Sequence, residues 1–369
     1  MSIRALFSKK TTALDVAADI KNQLSGFNVK MIVYFASADI YKHDEISAAM
    51  QSAFPDSIVF GCTSHAELYR GETKSGTVTA MAFSQETISD VKVEVFENLS
   101  AGIDVDPVFQ SFDAYFKTPM ATVDYKKYGG IILVDGLSMK EEEVMDKIGT
   151  RSHIVFIGGS ASDNLKFDKT YVFANGKSYT DAALIAVFKA ENGVDFIKTQ
   201  SVDVTDTGLT ITKAIPEKRA VVEFDNKPAA VRYAEALGVE RSEIDSMFFA
   251  NPVGLVIDSD VYIRNCQRTD GDTMIFYCSM MEDMDLKLCK IRDILPDTRA
   301  AVEKKKKELA GISGIIDFRC AFRTIQLEND GNIDRYADIF NSIEAVGFST
   351  YGEEIHGHMN QTSTMIVFK

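Results

Sequence analysis

Five cysteines in 369 residues, odd in number and with no C-x-x-C pair, argue against a disulfide framework or a zinc knuckle. They read as reduced, mostly buried thiols of a reducing compartment. Positive charge is scarce as well. Lysine plus arginine number 40 against 54 aspartate plus glutamate, and a net charge of −14 repels nucleic-acid backbones and anionic lipid surfaces. The one basic run, Lys304–Lys307, is flanked by Glu303 and Glu308 and reads as a solvated helix face. Long apolar runs are missing too. The first ten residues, MSIRALFSKK, lack the core of a signal peptide, and uncharged stretches such as Ser246–Ile257 are too short for a membrane span, so the expected location is the cytoplasm.

What is present is ordinary globular material, 46% hydrophobic, long enough for two or three domains at roughly 150 residues each. Short β-branched and aromatic runs alternate with helical patterns, which predicts a mixed α/β fold of β-sheets flanked by helices. One strand-helix-strand-turn-strand unit recurs three times. The first copy runs through strand Met31–Phe35, a helix near Glu45–Phe54, strand Ser57–Phe60, the turn Gly61-Cys62-Thr63-Ser64 and strand Val78–Phe83. The second comprises strand Gly130–Val134, helix Lys140–Ile148, strand His153–Ile157, turn Gly158-Gly159-Ser160-Ala161 and strand Ala183–Phe188. The third comprises strand Ile312–Phe318, helix Ile333–Asn341, strand Glu344–Val346, turn Gly347-Phe348-Ser349-Thr350 and strand Thr364–Phe368. Duplication explains this better than chance. Glu67 and Glu353 both stand six positions after the turn glycine, and Asp163 stands five after Gly158, so hydroxyls and carboxylates gather at strand ends. Pro216 and the Asn226-Lys227-Pro228 turn suggest dividing the chain near residue 220, into domains 1–220 and 221–369.

Several enzyme signals fail on inspection. Gly176-Lys177-Ser178 lacks the earlier glycine of a phosphate loop and reads as a hairpin turn, and no G-x-S-x-G elbow occurs. Cys62 would need an electropositive neighbour to become a nucleophile, and a small buried cysteine at a strand end is the plainer reading. His356-x-His358 would place two imidazoles on one face of an extended segment, with no third ligand in view. Met280, Met281 and Met284 read as core, and Asp270-Gly271-Asp272 as a hairpin turn rather than a calcium loop.

Phe35-Ala-Ser, Phe54-Pro55, Gly61-Cys62-Thr63, Glu67, Gly158-Gly159-Ser160-Ala161 and Asp163 together resemble the FIST N-terminal domain. Asp225-Asn-Lys-Pro228-Ala229, Tyr233, Leu237-Gly238 and the ending Gly347-Phe348-x-Thr350-Tyr351-Gly352-Glu353 with His358-x-Asn360-Gln361-Thr362 are similar to the FIST C-terminal domain. His65-Ala66 before Glu67 departs from the family's small residue and glycine. The resemblance implies a sensory domain pair of bacterial signal transduction, not an enzyme, that binds a small ligand such as an amino acid and signals through a partner protein. Its expected ligand-binding residues are Cys62, Thr63, Ser64, Glu67, Gly158, Gly159, Asp163, Thr350, Tyr351, Glu353, His358, Asn360 and Gln361. The alternatives are a haem-binding nitric oxide sensor regulating a histidine kinase, with His358 or His356 as axial ligand, and a Cys62-dependent enzyme.

Overall fold

The computed structural model describes residues 2–258 and 260–369. Two compact units divide the chain: unit 1 holds Met1–Thr199, Thr298–Gly357 and Ser363–Lys369, and unit 2 holds Gln200–Asp297 with His358–Thr362. The position near residue 220 falls inside unit 2, in the hairpin that joins strands Val202–Ile215 and Ala220–Phe224.

Unit 1 contains the three repeats foreseen in the sequence, each larger than expected. Every copy runs strand, helix, strand, helix, strand, small hairpin, strand. The first extends from strand Ile3–Ser8 to strand Val78–Ser84, and the second from Ile88–Glu97 to Ala182–Ala190. The third begins at strand Val194–Gln200, is interrupted by unit 2, resumes at helix Ile294–Glu308 and ends with strand Thr362–Phe368. The third copy has two helices between its parallel strands: Ala321–Asn329, directly after the first of them, which the spacing did not suggest, and Ile333–Ala337, continued by Asp338–Phe340, in the Ile333–Asn341 segment that it did.

Each repeat forms one sheet around a parallel pair: Val29–Ser37 with Ile58–Ser64, Tyr128–Val134 with Phe156–Ser160, and Gly314–Cys320 with Glu344–Thr350. These strands are buried almost throughout, which is why they read as continuous apolar runs rather than alternating ones. The small hairpins are exchanged in a cycle. Glu67–Tyr69 of the first repeat joins the third sheet, Val172–Ala174 of the second joins the first, and Glu353–Ile355 of the third joins the second. Exchange makes the three sheets one cooperative body, since none keeps its own hairpin edge.

The registers coincide. Gly61 pairs with Tyr34, Gly158 with Ile132 and Gly347 with Asp317. A Cβ at these glycines would lie 1.8, 1.6 and 1.8 Å from the partner's carbonyl oxygen. The glycines therefore do not turn the chain, as their spacing suggested; they sit inside strands and permit close backbone approach. Phe83, Phe188 and Phe368 occupy one equivalent position of the three return strands and meet with ring centroids 4.7 and 6.0 Å from Phe368. All three rings are fully buried.

Helices cover the other sheet faces. Helix Ala13–Gln23 starts at Thr12, whose hydroxyl accepts from the Asp15 N–H, and buries Val16, Ala17 and Ile20. These join Ile32, Tyr34 and Ala36 in one apolar core, and Ile132, Val134 and Ile185 anchor its counterpart in the second repeat. Lys305 and Lys306 of the basic run pair with Asp195, Glu308 and Glu303, as expected of a solvated helix face.

Unit 2 is an antiparallel sheet assembly with helix Ala229–Leu237 over a core that includes Phe224, Tyr233, Phe248 and Met274. Met280 is buried there, whereas Met281 is half exposed. Among the described residues no helix is long and apolar enough to cross a membrane.

Candidate functional site

The ends of the three parallel pairs meet in unit 1. Thr63, Ser160 and Ser349 hold one equivalent position, and each N–H donates to the residue that precedes an exchanged hairpin: Tyr171 (2.9 Å), Gly352 (2.9 Å) and Ala66 (2.8 Å). Ser162 knits the junction further. Its hydroxyl donates to the Ser349 carbonyl at 2.6 Å and accepts from the His65 N–H at 2.7 Å. The expected residues Cys62, Thr63, Ser64, Glu67, Gly158, Gly159, Asp163, Thr350, Tyr351 and Glu353 all lie in unit 1, in or beside this junction.

Their roles differ. Glu67 is fully buried, accepting from the Ser64 hydroxyl (2.5 Å) and from the N–H and hydroxyl of Thr77 (3.1 and 2.7 Å). Burial pushes its carboxyl up to about 7 against the pull of those neutral donors. No cation pairs with it among the described residues. Glu353 repeats the arrangement through Thr350, whose hydroxyl donates to it, while the second repeat has Val172 at this place. Asp163 accepts three backbone N–H groups, from Phe167, Asp168 and Lys169, and the Tyr351 hydroxyl, so it organises a loop. Ser160 donates to Glu354 at 2.9 Å and lies 3.4 Å from Glu141. Gly158 and Gly159 serve packing: a Cβ at Gly159 would meet Thr350 at 2.3 Å. Cys62 is buried, and burial raises its thiol well above the usual range, away from the thiolate a nucleophile needs.

Of the remaining predicted residues, His358, Asn360 and Gln361 belong to unit 2 and His356 to unit 1. Asn360 accepts from the Asn265 N–H at 3.2 Å and the Cys278 thiol at 3.1 Å, and the Gln361 amide donates to the Phe249 carbonyl at 2.9 Å. His358 is buried, whereas His356 is exposed with a left-handed backbone. That turn, followed by Gly357 at φ 154°, breaks the extended segment on which the two imidazoles were expected to share a face.

Sequence reasoning missed a buried charged cluster of unit 1. In the third repeat Asp317 and Arg319 point to the helix side of the sheet, and helix Ala321–Asn329 brings Arg323 and Thr324 over them. Both arginines are about 1% exposed or less. Arg319 donates to Thr324 (3.2 Å) and Thr73 (2.8 Å), and its guanidinium lies 4.8 Å from the centre of the Tyr336 ring. Arg323 donates to Thr199 (3.3 Å) and Thr298 (3.0 Å). Asp317 accepts from Ser363 (2.6 Å) and Tyr336 (3.2 Å), and burial holds its carboxyl above the usual value although both guanidiniums oppose the shift. The Thr324 and Ser349 hydroxyls lie 3.0 Å apart and tie the cluster to the strand-end junction. Three nitrogens, Arg319 Nη1 and Arg323 Nε and Nη1, have no hydrogen-bond partner among the described residues.

Residues 30–227 match the FIST N domain and residues 229–356 the FIST C domain. The chain belongs to the FIST family. FIST domains are associated with sensing in signal transduction. An uncharacterized protein of Methanocaldococcus jannaschii is 28% identical over 206 residues, which cover 52% of this FIST chain and 40% of that protein. The match thus spans less than half the length of that relative.

Proposed function

We propose that this FIST protein is a non-catalytic receptor for a small carboxylate-bearing metabolite, an amino acid or a close relative, held in unit 1 and reported to a partner protein. The observation that carries this reading is the buried cluster of Asp317, Arg319 and Arg323 in the third repeat. Charge of this density is costly to bury without a compensating partner, and sites for small polar ligands are built of such convergent groups within apolar walls. The guanidiniums complement a carboxylate and the Asp317 carboxylate an ammonium. A thermal-shift panel of amino acids, other small carboxylates and haemin, with an absorption spectrum of each sample, tests it. A rise in melting temperature with an amino acid and no visible band supports the reading, because ligand bound to the folded state stabilises it by mass action. No shift with any carboxylate, or a Soret band kept through desalting, overturns it.

A further inference from the structure

We infer that Arg319 and Arg323 form an anion site for a single planar carboxylate, and that filling it releases Arg323 from the two points where the chain crosses out of unit 1. The inference rests on the reading that unit 1 receives the ligand, and it adds the recognised group and the first consequence of its binding.

Position for position, the sister repeats show that the fold does not need this charge. Asp317, Arg319 and Ser363 align with Tyr34, Ala36 and Val78 in the first repeat and with Ile132, Val134 and Ala183 in the second. There the same places fill apolar cores. Two guanidiniums against one carboxylate leave one unbalanced positive charge, which a monoanion neutralises and a phosphate dianion exceeds. The three nitrogens without partners belong to planar forks suited to carboxylate oxygens. Buried donors of this kind call for a specific partner, an ion or an ordered water.

Arg323 adds the coupling. Its Nη2 donates to Thr199 and Thr298, the last residue of unit 1 before the insertion and the first after it. One guanidinium therefore pins both crossings to helix Ala321–Asn329. A carboxylate is the stronger acceptor, since charge-assisted hydrogen bonds outcompete those to neutral hydroxyls. When one binds, Arg323 turns to it and lets go of both threonines. Both guanidiniums are buried, so a ligand reaches them only through local opening, and release of Arg323 from the two threonines is coupled to binding.

The test titrates the full chain, in chloride-free buffer, with formate, acetate, glycine and inorganic phosphate, followed by calorimetry and by amide hydrogen exchange around residues 199 and 298. Formate or acetate should bind, with phosphate weaker, and exchange at both crossings should rise on binding. Arg323→Lys, which keeps the charge but loses the fork, should weaken binding about tenfold or more. Thr199→Val with Thr298→Val removes the competing acceptors and should tighten binding, which a merely structural arginine would not do. Binding of formate and acetate without any amino-acid response would retain this site while removing the amino-acid reading. Absence of binding by all four anions, with ordered water alone on the guanidiniums, overturns the inference; so does binding that Arg323→Lys and the threonine variants leave unchanged.

Discussion

The third repeat of unit 1 and its two sisters share a backbone and differ in what they bury. All three place a glycine against the neighbouring carbonyl, a phenylalanine at the meeting point of the return strands and a hydroxyl at the junction. On the helix side, two are filled with tyrosine, alanine, valine and isoleucine, and the third with Asp317, Arg319 and Ser363. Two copies therefore show what the architecture requires for stability, and the departure in the third marks what it does not. Apolar filling stabilises at roughly 25 cal/mol per Å2 buried, whereas a buried ion cluster at best offsets its own desolvation.

Breaking the cluster one-sidedly should have the largest effect. Asp317→Ala strands two buried guanidiniums and should cost about 3–5 kcal/mol in chemical denaturation. Replacing the set together, with Asp317→Ile and Arg319→Val after the second repeat and Arg323→Leu, should be neutral or stabilising. Equal damage from the single and triple variants would break the comparison.

Glu67 sharpens it from the other face, because Val172 holds the equivalent place in the second repeat. Its carboxyl titrates near 7 in the fold, above its unfolded value, so the folded state binds the proton more tightly. Stability is then fullest below the unfolded value and falls as pH rises through about 7. Glu67→Gln should abolish that decline and gain up to about 3 kcal/mol at pH 8, as read from melting at pH 5 to 8. A parallel pH profile in wild type and variant would contradict the assignment.

Gly61→Ala, Gly158→Ala and Gly347→Ala should each cost about 1–3 kcal/mol, because a methyl must displace a backbone carbonyl in an otherwise full core. Costs that differ widely would show that the three repeats are not held alike. The smallest effect concerns Cys62: the folded protein should leave it unalkylated at neutral pH, whereas the unfolded chain reacts. Rapid modification of the folded form would revive a thiol chemistry.

Much of this fold was legible in sequence because strands buried on both faces leave unbroken apolar runs, and the three Gly-x-Ser/Thr motifs marked equivalent strands. Two things were not. Strand continuation through Gly61, Gly158 and Gly347 was hidden, since a glycine required for close approach looks the same as one required for a turn. The arginine cluster was hidden because Asp317-x-Arg319-x-x-x-Arg323 reads as ordinary surface charge until Arg319 is aligned with Ala36 and Val134. Glu67 and Asp163 were named from sequence as ligand-binding residues, and the hydrogen bonds that occupy their oxygens come from residues that only the fold brings near, such as Thr77 and Tyr351.

The most direct measurement is ligand-induced thermal stabilisation of wild type beside the triple variant that gives the third repeat the apolar filling of its sisters. The account predicts a variant that melts at the same or higher temperature without ligand and no longer responds to carboxylates that stabilise wild type. A variant that folds and keeps the full response would contradict it.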